Sequence, residues 1–313
     1  MTRPTNDCLT VVGALALLLV GCDSPLESTV KLGAGTGGAA SADGSAVFPD
    51  SGSGGASDAR ADSGDSAAPD GGSNACSGTG VDAATDAADT ATILDPSGTY
   101  GGKTYAEWVA AYWKWFCELP GPEFPVEDLT GALCATGQPG ATDGSAGAND
   151  AFFLTELPGG DGVVTRTCAV PAGKMILIPM GSYASFNIPG MLQRTDEEHQ
   201  AICTALGESV TALALEIDGK CYGSTVSDFA QYLVAWTQFS FTVPTTPNNA
   251  FMTVWGSTYT GPIPVAYGGG YFLLLAPLLA GSHTIRFTLK CDAVQAFSAP
   301  PVSEDVTYHL VVQ

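Results

Sequence analysis

The sequence predicts a mainly β protein: an antiparallel β-sandwich or a jelly-roll-like domain with one or two helices, preceded by a disordered linker. Short runs of alternating apolar and polar residues, separated by glycine and proline turns, recur from residue 150 to the end of the chain. Alternation with a period of two is typical of half-buried strands. Only two stretches have helical periodicity, so helices are expected to decorate the β framework.

Composition divides the 313 residues into three segments. We interpret 1–21 as a signal peptide, 22–96 as a disordered tether rich in Gly, Ser, Ala and Asp, and 97–313 as one β-sandwich domain. Nearly all the aromatic residues lie from Tyr100 onward, so only the last segment can bury a sizeable core. The tether has few large apolar side chains, and burial cannot offset the entropy of ordering it.

The net charge is −21, from 32 acidic and 11 basic residues. Such a surplus of negative charge disfavours affinity for nucleic acid or for an anionic lipid surface. The sequence therefore predicts no nucleic-acid partner.

The N-terminus carries an apolar run from Leu9 to Val20, preceded by Arg3. The run is shorter than the roughly 20 residues that span a bilayer, and its length is that of a signal peptide. It ends in Leu-Val-Gly-Cys at 19–22, which resembles the lipobox of bacterial lipoproteins. The resemblance implies cleavage before Cys22, lipid attachment at Cys22, and a membrane-anchored location in the cell envelope, periplasmic or at the cell surface. An uncleaved membrane helix with a chance cysteine is the alternative.

The clearest helix signal covers residues 103–116. Thr104 and Glu107 form a capping box, and large aromatic residues recur at spacings of three and four. Prolines at 120, 122 and 125 prevent its continuation.

A second helix is predicted from Asp196 to Gly207, where Thr195 and Glu198 repeat the capping box. Asp218-Gly219 predicts a hairpin turn, with a return strand beginning at Cys221. The remaining strands are predicted at 150–156, 163–170, 174–180, 213–217, 237–243, 271–276, 283–290 and 305–312.

Nine cysteines are present. Cys8 would leave with the signal peptide, Cys22 would be lipidated, and Cys76 lies in the tether. An even set in the domain, outside the cytoplasm, predicts disulfides, although sequence alone leaves 15 pairings open. Zinc is a weaker alternative because no Cys-x-x-Cys spacing occurs. The six domain cysteines are Cys117, Cys134, Cys168, Cys203, Cys221 and Cys291.

Four motifs follow in order through the domain. They are Tyr-Ala-Glu-Trp from 105, Cys-Ala-Thr-Gly-Gln from 134, Arg-Thr-Cys-Ala-Val-Pro from 166, and Gly-Tyr-Phe-Leu-Leu-Leu-Ala-Pro from 270. This order resembles a group of uncharacterised exported bacterial proteins. The resemblance implies a shared fold and export, and no particular reaction or ligand. It also favours a bridge between Cys134 and Cys168, which both lie in matching segments.

No hydrolase elbow, phosphate loop, dinucleotide fingerprint or zinc-helix motif occurs. His199 lies on the second predicted helix. His283 shares the apolar face of its strand and is expected to be packed and hydrogen-bonded. His309 is expected to face outward, so the histidines do not obviously converge. The sequence predicts neither a metal site nor a cofactor.

Two hypotheses of function follow. In the first, the domain binds a glycan or an envelope protein, and Trp113 is the candidate aromatic residue because its helix is aromatic on more than one face. Core packing is the competing interpretation of Trp113. The second hypothesis is a secreted hydrolase of envelope polymers, which needs paired carboxylates. The carboxylates close together in sequence are Glu107, Glu123, Glu127 and Asp128.

Overall fold

The computed structural model describes residues 76, 91–121, 124–139, 150–157, 161–191, 193–297 and 299–313. The predicted signal peptide, Cys22 and most of the predicted tether lie outside these residues. Among the described residues, no helix combines the length and the apolar character needed to cross a membrane.

Eleven strands and three α-helices make up the described fold, with two 3-10 turns at Val226–Tyr232 and Gln295–Phe297. The helices are α1 (Tyr105–Glu118), α2 (Asp196–Glu208) and α3 (Ala250–Trp255). The strands are β1 (Thr99–Tyr100), β2 (Lys103–Thr104), β3 (Ala151–Phe153), β4 (Asp161–Val170), β5 (Met175–Phe186), β6 (Val210–Ile217), β7 (Lys220–Gly223), β8 (Leu233–Val243), β9 (Gly261–Leu275), β10 (Gly281–Cys291) and β11 (Val302–Val312).

Both predicted helices are confirmed, and both begin at a complete capping box. Thr104 with Glu107 caps α1, and Thr195 with Glu198 caps α2. The six-residue α3 was not predicted, because so short a helix shows no periodicity. Asn249 caps it by accepting the backbone N–H of Met252.

The strands form two larger sheets, in the orders β3-β5-β9-β8 and β4-β11-β10-β6-β7, and β1 pairs with β2 in a small hairpin. The mainly β fold class is thus confirmed. Most strand pairs are antiparallel, as predicted, whereas two pairs, β4 with β11 and β3 with β5, are parallel, which the sequence did not predict. Alternation reports which face is buried and carries no information on the direction of a partner distant in sequence.

The hairpin between β6 and β7 turns where it was predicted. Asp218 and Gly219 both have positive φ, 51° and 77°. Those angles suit a two-residue turn whose twist matches that of the flanking strands.

Residues 91–96, which the sequence assigned to the tether, belong to the fold. Leu94 N donates to Leu274 O at 2.8 Å, and Ala276 N donates to Thr92 O at 2.9 Å. The Tyr105 hydroxyl donates to Leu94 O at 2.8 Å. These contacts pair a segment that precedes the predicted domain boundary with the C-terminal end of β9.

The disulfides differ in part from the predicted framework. Cys134 is joined to Cys168, the pair that the resemblance favoured. Cys76, which was assigned to the tether, is joined to Cys221 on β7. Three other domain cysteines are buried free thiols, so the expectation that all six domain cysteines pair with one another was wrong: Cys117, Cys203 and Cys291.

Candidate functional site

Trp113 is buried and is not available to a ligand. Its side chain is 1% exposed, and its ring lies edge-on to those of Tyr112 and Phe116, with centroids 5.6 and 5.5 Å away. On its other side the ring approaches Gly268 so closely that a Cβ there would collide with it. The prediction of Trp113 as an aromatic binding residue is therefore wrong, and the core-packing interpretation describes it.

Two of the carboxylates considered for hydrolysis, Glu107 and Asp128, accept hydrogen bonds from nearby backbone N–H groups. Glu107 accepts the backbone N–H of Thr104 at 2.7 Å, and this bond lowers the pKa of its carboxyl. Asp128 accepts the N–H groups of Thr130 and Leu133, at 2.8 and 2.7 Å. Glu127 is exposed, and Glu123 lies outside the described residues. An ionised capping carboxylate is poorly suited to act as a general acid.

Two of the three histidines lie as predicted. His283 is buried; its Nδ1 is 2.7 Å from an Asp218 carboxylate oxygen, and its Nε2 is 2.9 Å from Leu279 O. His309 is exposed on β11. Within the part of the chain that the structure describes, no three His, Cys, Asp or Glu side chains gather in a way that could hold a metal ion.

Among the residues that the structure describes, the exposed aromatic side chain is Trp236 on β8. It is 43% exposed, and every other aromatic side chain in the described ranges is buried or half-buried. The register of β8 against β9 shifts between Val234 and Thr237. This irregularity leaves Ala235 and Trp236 outside the regular ladder, and bulges of this kind often re-aim a side chain.

Trp236 contacts the first of a series of rings that continues into the protein interior. Its ring meets Tyr267 of β9 edge-on, with centroids 6.1 Å apart and planes at 66°. Tyr267 in turn stacks on His199 of α2, with centroids 5.4 Å apart and planes at 20°. His199 Nδ1 lies 2.7 Å from the hydroxyl oxygen of Ser185 on β5. We call Trp236, Tyr267, His199 and Ser185 the Trp236 cluster.

The strand register explains why these residues meet. Ser185 pairs with Tyr267 between β5 and β9, and Tyr267 pairs with Gln238 between β9 and β8. The three side chains therefore form a row across one face of the sheet. The first turn of α2 covers the row and brings His199 between Ser185 and Tyr267.

The buried part of the cluster is electrically neutral. Burial lowers the pKa of His199, and burial together with a hydrogen bond to Asp196 raises the pKa of Tyr267. Ser185 and His199 are only 6% and 0% exposed. The Ser185–His199 contact therefore joins α2 to β5, and the Ser185 hydroxyl is not accessible from solvent as a nucleophile. Asp196 and Gln200 contact the Tyr267 hydroxyl, so polar side chains of α2 adjoin the cluster.

Comparison with known proteins adds little to this description. No protein-family model matches the chain, and no curated protein matches it. Among solved structures, it is similar to a chain from the structure of PbICP-C in complex with falcipain-2. The similarity covers 52% of this chain and 99% of that chain, at 11% sequence identity and a TM-score of 0.20. A similarity this weak defines neither the fold nor the function.

Proposed function

We propose that this protein is a membrane-anchored extracytoplasmic lipoprotein whose β domain binds a ligand at Trp236, a glycan or an envelope protein, with a glycan as the first choice. The lipobox-like sequence ending at Cys22 supports the anchor. The bridges Cys76–Cys221 and Cys134–Cys168 fit an oxidising compartment outside the cytoplasm.

The exposure of Trp236 is the observation that carries the binding proposal. A large aromatic side chain usually contributes buried apolar area, and this one leaves 43% of its surface in solvent. Contact with Tyr267 restricts the indole before a ligand arrives, which reduces the side-chain entropy lost on binding. An indole has apolar ring faces and a polar N–H at its edge, a combination that suits a sugar ring with its apolar face and hydroxyl groups.

The neighbouring polar groups fit the same ligand. Gln238 is exposed on β8, two residues beyond Trp236, and Asp196 is exposed at the start of α2. An amide and a carboxylate can accept or donate hydrogen bonds to hydroxyl groups at the rim of a stacked ring.

The first experiment is a binding screen of the full chain, purified in detergent, against glycans and peptidoglycan fragments. We expect Trp236→Ala to weaken binding by tenfold or more, because the stacking surface is removed. Leu279→Ala is the matched control, since Leu279 is another large apolar side chain and is 61% exposed. Its affinity should equal that of the wild type.

Three outcomes would contradict the proposal. Binding that survives in Trp236→Ala would place the ligand elsewhere on the domain. No binding to any glycan, together with capture of an envelope protein that Trp236→Ala abolishes, would select the protein ligand. Cleavage of the ligand during the screen would favour the hydrolase hypothesis.

A further inference from the structure

Arg166 is a buried cation whose hydrogen-bond acceptors are uncharged. Its side chain is 0% exposed. The guanidinium donates to the backbone oxygens of Asp128, Thr155 and Val126 at 2.7, 2.8 and 3.2 Å, and to the hydroxyl of Tyr308 at 2.6 Å. A buried charge is costly unless an opposite charge lies nearby, so the countercharge must come from beyond this first ring of acceptors.

Two buried carboxyl groups, Glu156 and Glu304, are available for that purpose. Glu156 is 7% exposed and Glu304 is 3% exposed. Glu156 accepts hydrogen bonds from the N–H groups of Gly181 and Ser182 and from the Ser182 hydroxyl. Glu304 accepts the N–H of Leu157 at 3.2 Å. The Glu304 carboxyl thus bonds to the residue that follows Glu156, and Arg166 donates to the backbone oxygens of Thr155 and Glu156 in the same segment.

One buried cation can balance one buried carboxylate. A second negative charge in the same low-dielectric region would remain unbalanced, and like charges at such sites do not both ionise readily. Burial raises the pKa of Glu156 to about 7 and raises that of Glu304 well above its ordinary value. Three donors favour the charged form of Glu156, whereas Glu304 has a single donor.

We propose that Glu156 and Glu304 together hold one proton at mildly alkaline pH, and that the loss of this proton loosens the segment 154–157. One of the two carboxyl groups carries the proton, and the other is ionised and balances Arg166. The cluster then joins four parts of the fold, namely the segments 124–131 and 154–157, the irregular stretch of β5 at 181–182, and β11. A second ionised carboxylate would strain all four contacts at once.

The other titratable groups facing the pair do not supply a positive charge. Asp161 on β4 faces Glu304 and disfavours its ionisation further. Tyr112 of α1 and Cys291 of β10 also face the carboxyl groups, and burial raises the pKa of both, so they stay neutral. Tyr308 of β11 bonds to the Arg166 guanidinium. A cavity of about 10 Å³ beside Glu156 has room for about one water molecule.

The test is the pH dependence of urea unfolding of the full chain, compared among wild type, Glu304→Gln and Glu156→Gln. An unfolded glutamate ionises near pH 4.5. Above about pH 7 the unfolded chain has therefore lost both protons, whereas the folded chain still holds one. The stability from this proton is fully present below pH 4.5 and is lost as pH rises through the folded pKa values. We expect the unfolding equilibrium constant of the wild type to rise about tenfold per pH unit relative to either variant.

Either substitution alone should remove this pH dependence of unfolding, because the remaining carboxylate can then pair with Arg166. If only Glu304→Gln removes it, Glu304 holds the proton by itself and the shared site is wrong. If neither variant changes the slope, no proton is held there.

A second measurement uses only the wild-type protein. The infrared band of a buried protonated carboxylic acid should be present in the wild type at neutral pH and should disappear as the pH is raised. Its absence at neutral pH would overturn the proposal.

Discussion

Trp113 and Trp236 have the same side chain in opposite environments. Trp113 is 1% exposed and lies against Gly268, so its removal leaves a large cavity in the core. We expect Trp113→Ala to lower the free energy of unfolding by about 3 to 5 kcal/mol. Trp236→Ala removes a half-exposed ring and should cost less than about 1 kcal/mol. Urea denaturation of both variants measures the difference, and equal losses would contradict the burial of Trp113.

The sequence pointed to Trp113 and not to Trp236 for a physical reason. The pattern of α1 correctly grouped Trp108 and Tyr112 on one buried face. It contained nothing to show that Gly268, more than 150 residues away, would leave space for Trp113 as well. Trp236 lies one residue before the strand predicted at 237–243, and a strand irregularity sets its exposure. Neither the edge position of β8 nor its shifted register is visible in alternation.

The first turn of α2 positions polar groups of the candidate site. Thr195 begins the turn by accepting the N–H of Glu198 at 3.3 Å. We expect Thr195→Ala to lower the free energy of unfolding by about 1 kcal/mol. Because fraying of this turn moves Asp196 away from Tyr267, it should also weaken ligand binding at Trp236.

Thr104→Ala is the matched control for Thr195→Ala. Thr104 makes the same capping box at α1, so its loss should cost a similar free energy of unfolding. Binding of the ligand that the screen identifies should be unchanged in this variant. Equal affinities for the two cap variants would show that α2 does not shape the site.

At the scale of elements, the predictable features were local ones. Capping boxes and the Asp218-Gly219 turn depend on a few adjacent residues, and they appear where they were expected. Pairing between distant segments was not predictable. The parallel pairing of β4 with β11 joins segments more than 130 residues apart, and no local signal determines its direction.

At the scale of the whole molecule, the domain boundary that composition predicted was displaced. Ile93 bridges to Leu275, and Cys76 is joined to Cys221 across a sequence separation of 145 residues. Gly, Ser, Ala and Asp surround Cys76 in the sequence. A single cysteine in such a segment does not show which partner it will reach, because pairing depends on the folded positions of both thiols.

We propose that a lipid at Cys22 attaches the whole molecule to the membrane. With a net charge of −21 the protein is repelled by anionic lipid headgroups, so electrostatics cannot substitute for acyl chains. Each buried acyl methylene contributes about 0.8 kcal/mol, which makes two or three chains a firm anchor. We expect Cys22→Ala to appear in the soluble fraction or to accumulate as an uncut precursor, measured by membrane fractionation and mass spectrometry. Cys76→Ser, which removes the bridge to Cys221 and leaves the proposed anchor intact, should stay with the membrane. A mature Cys22→Ala protein that still sediments with membranes would mean that another part of the molecule holds it there.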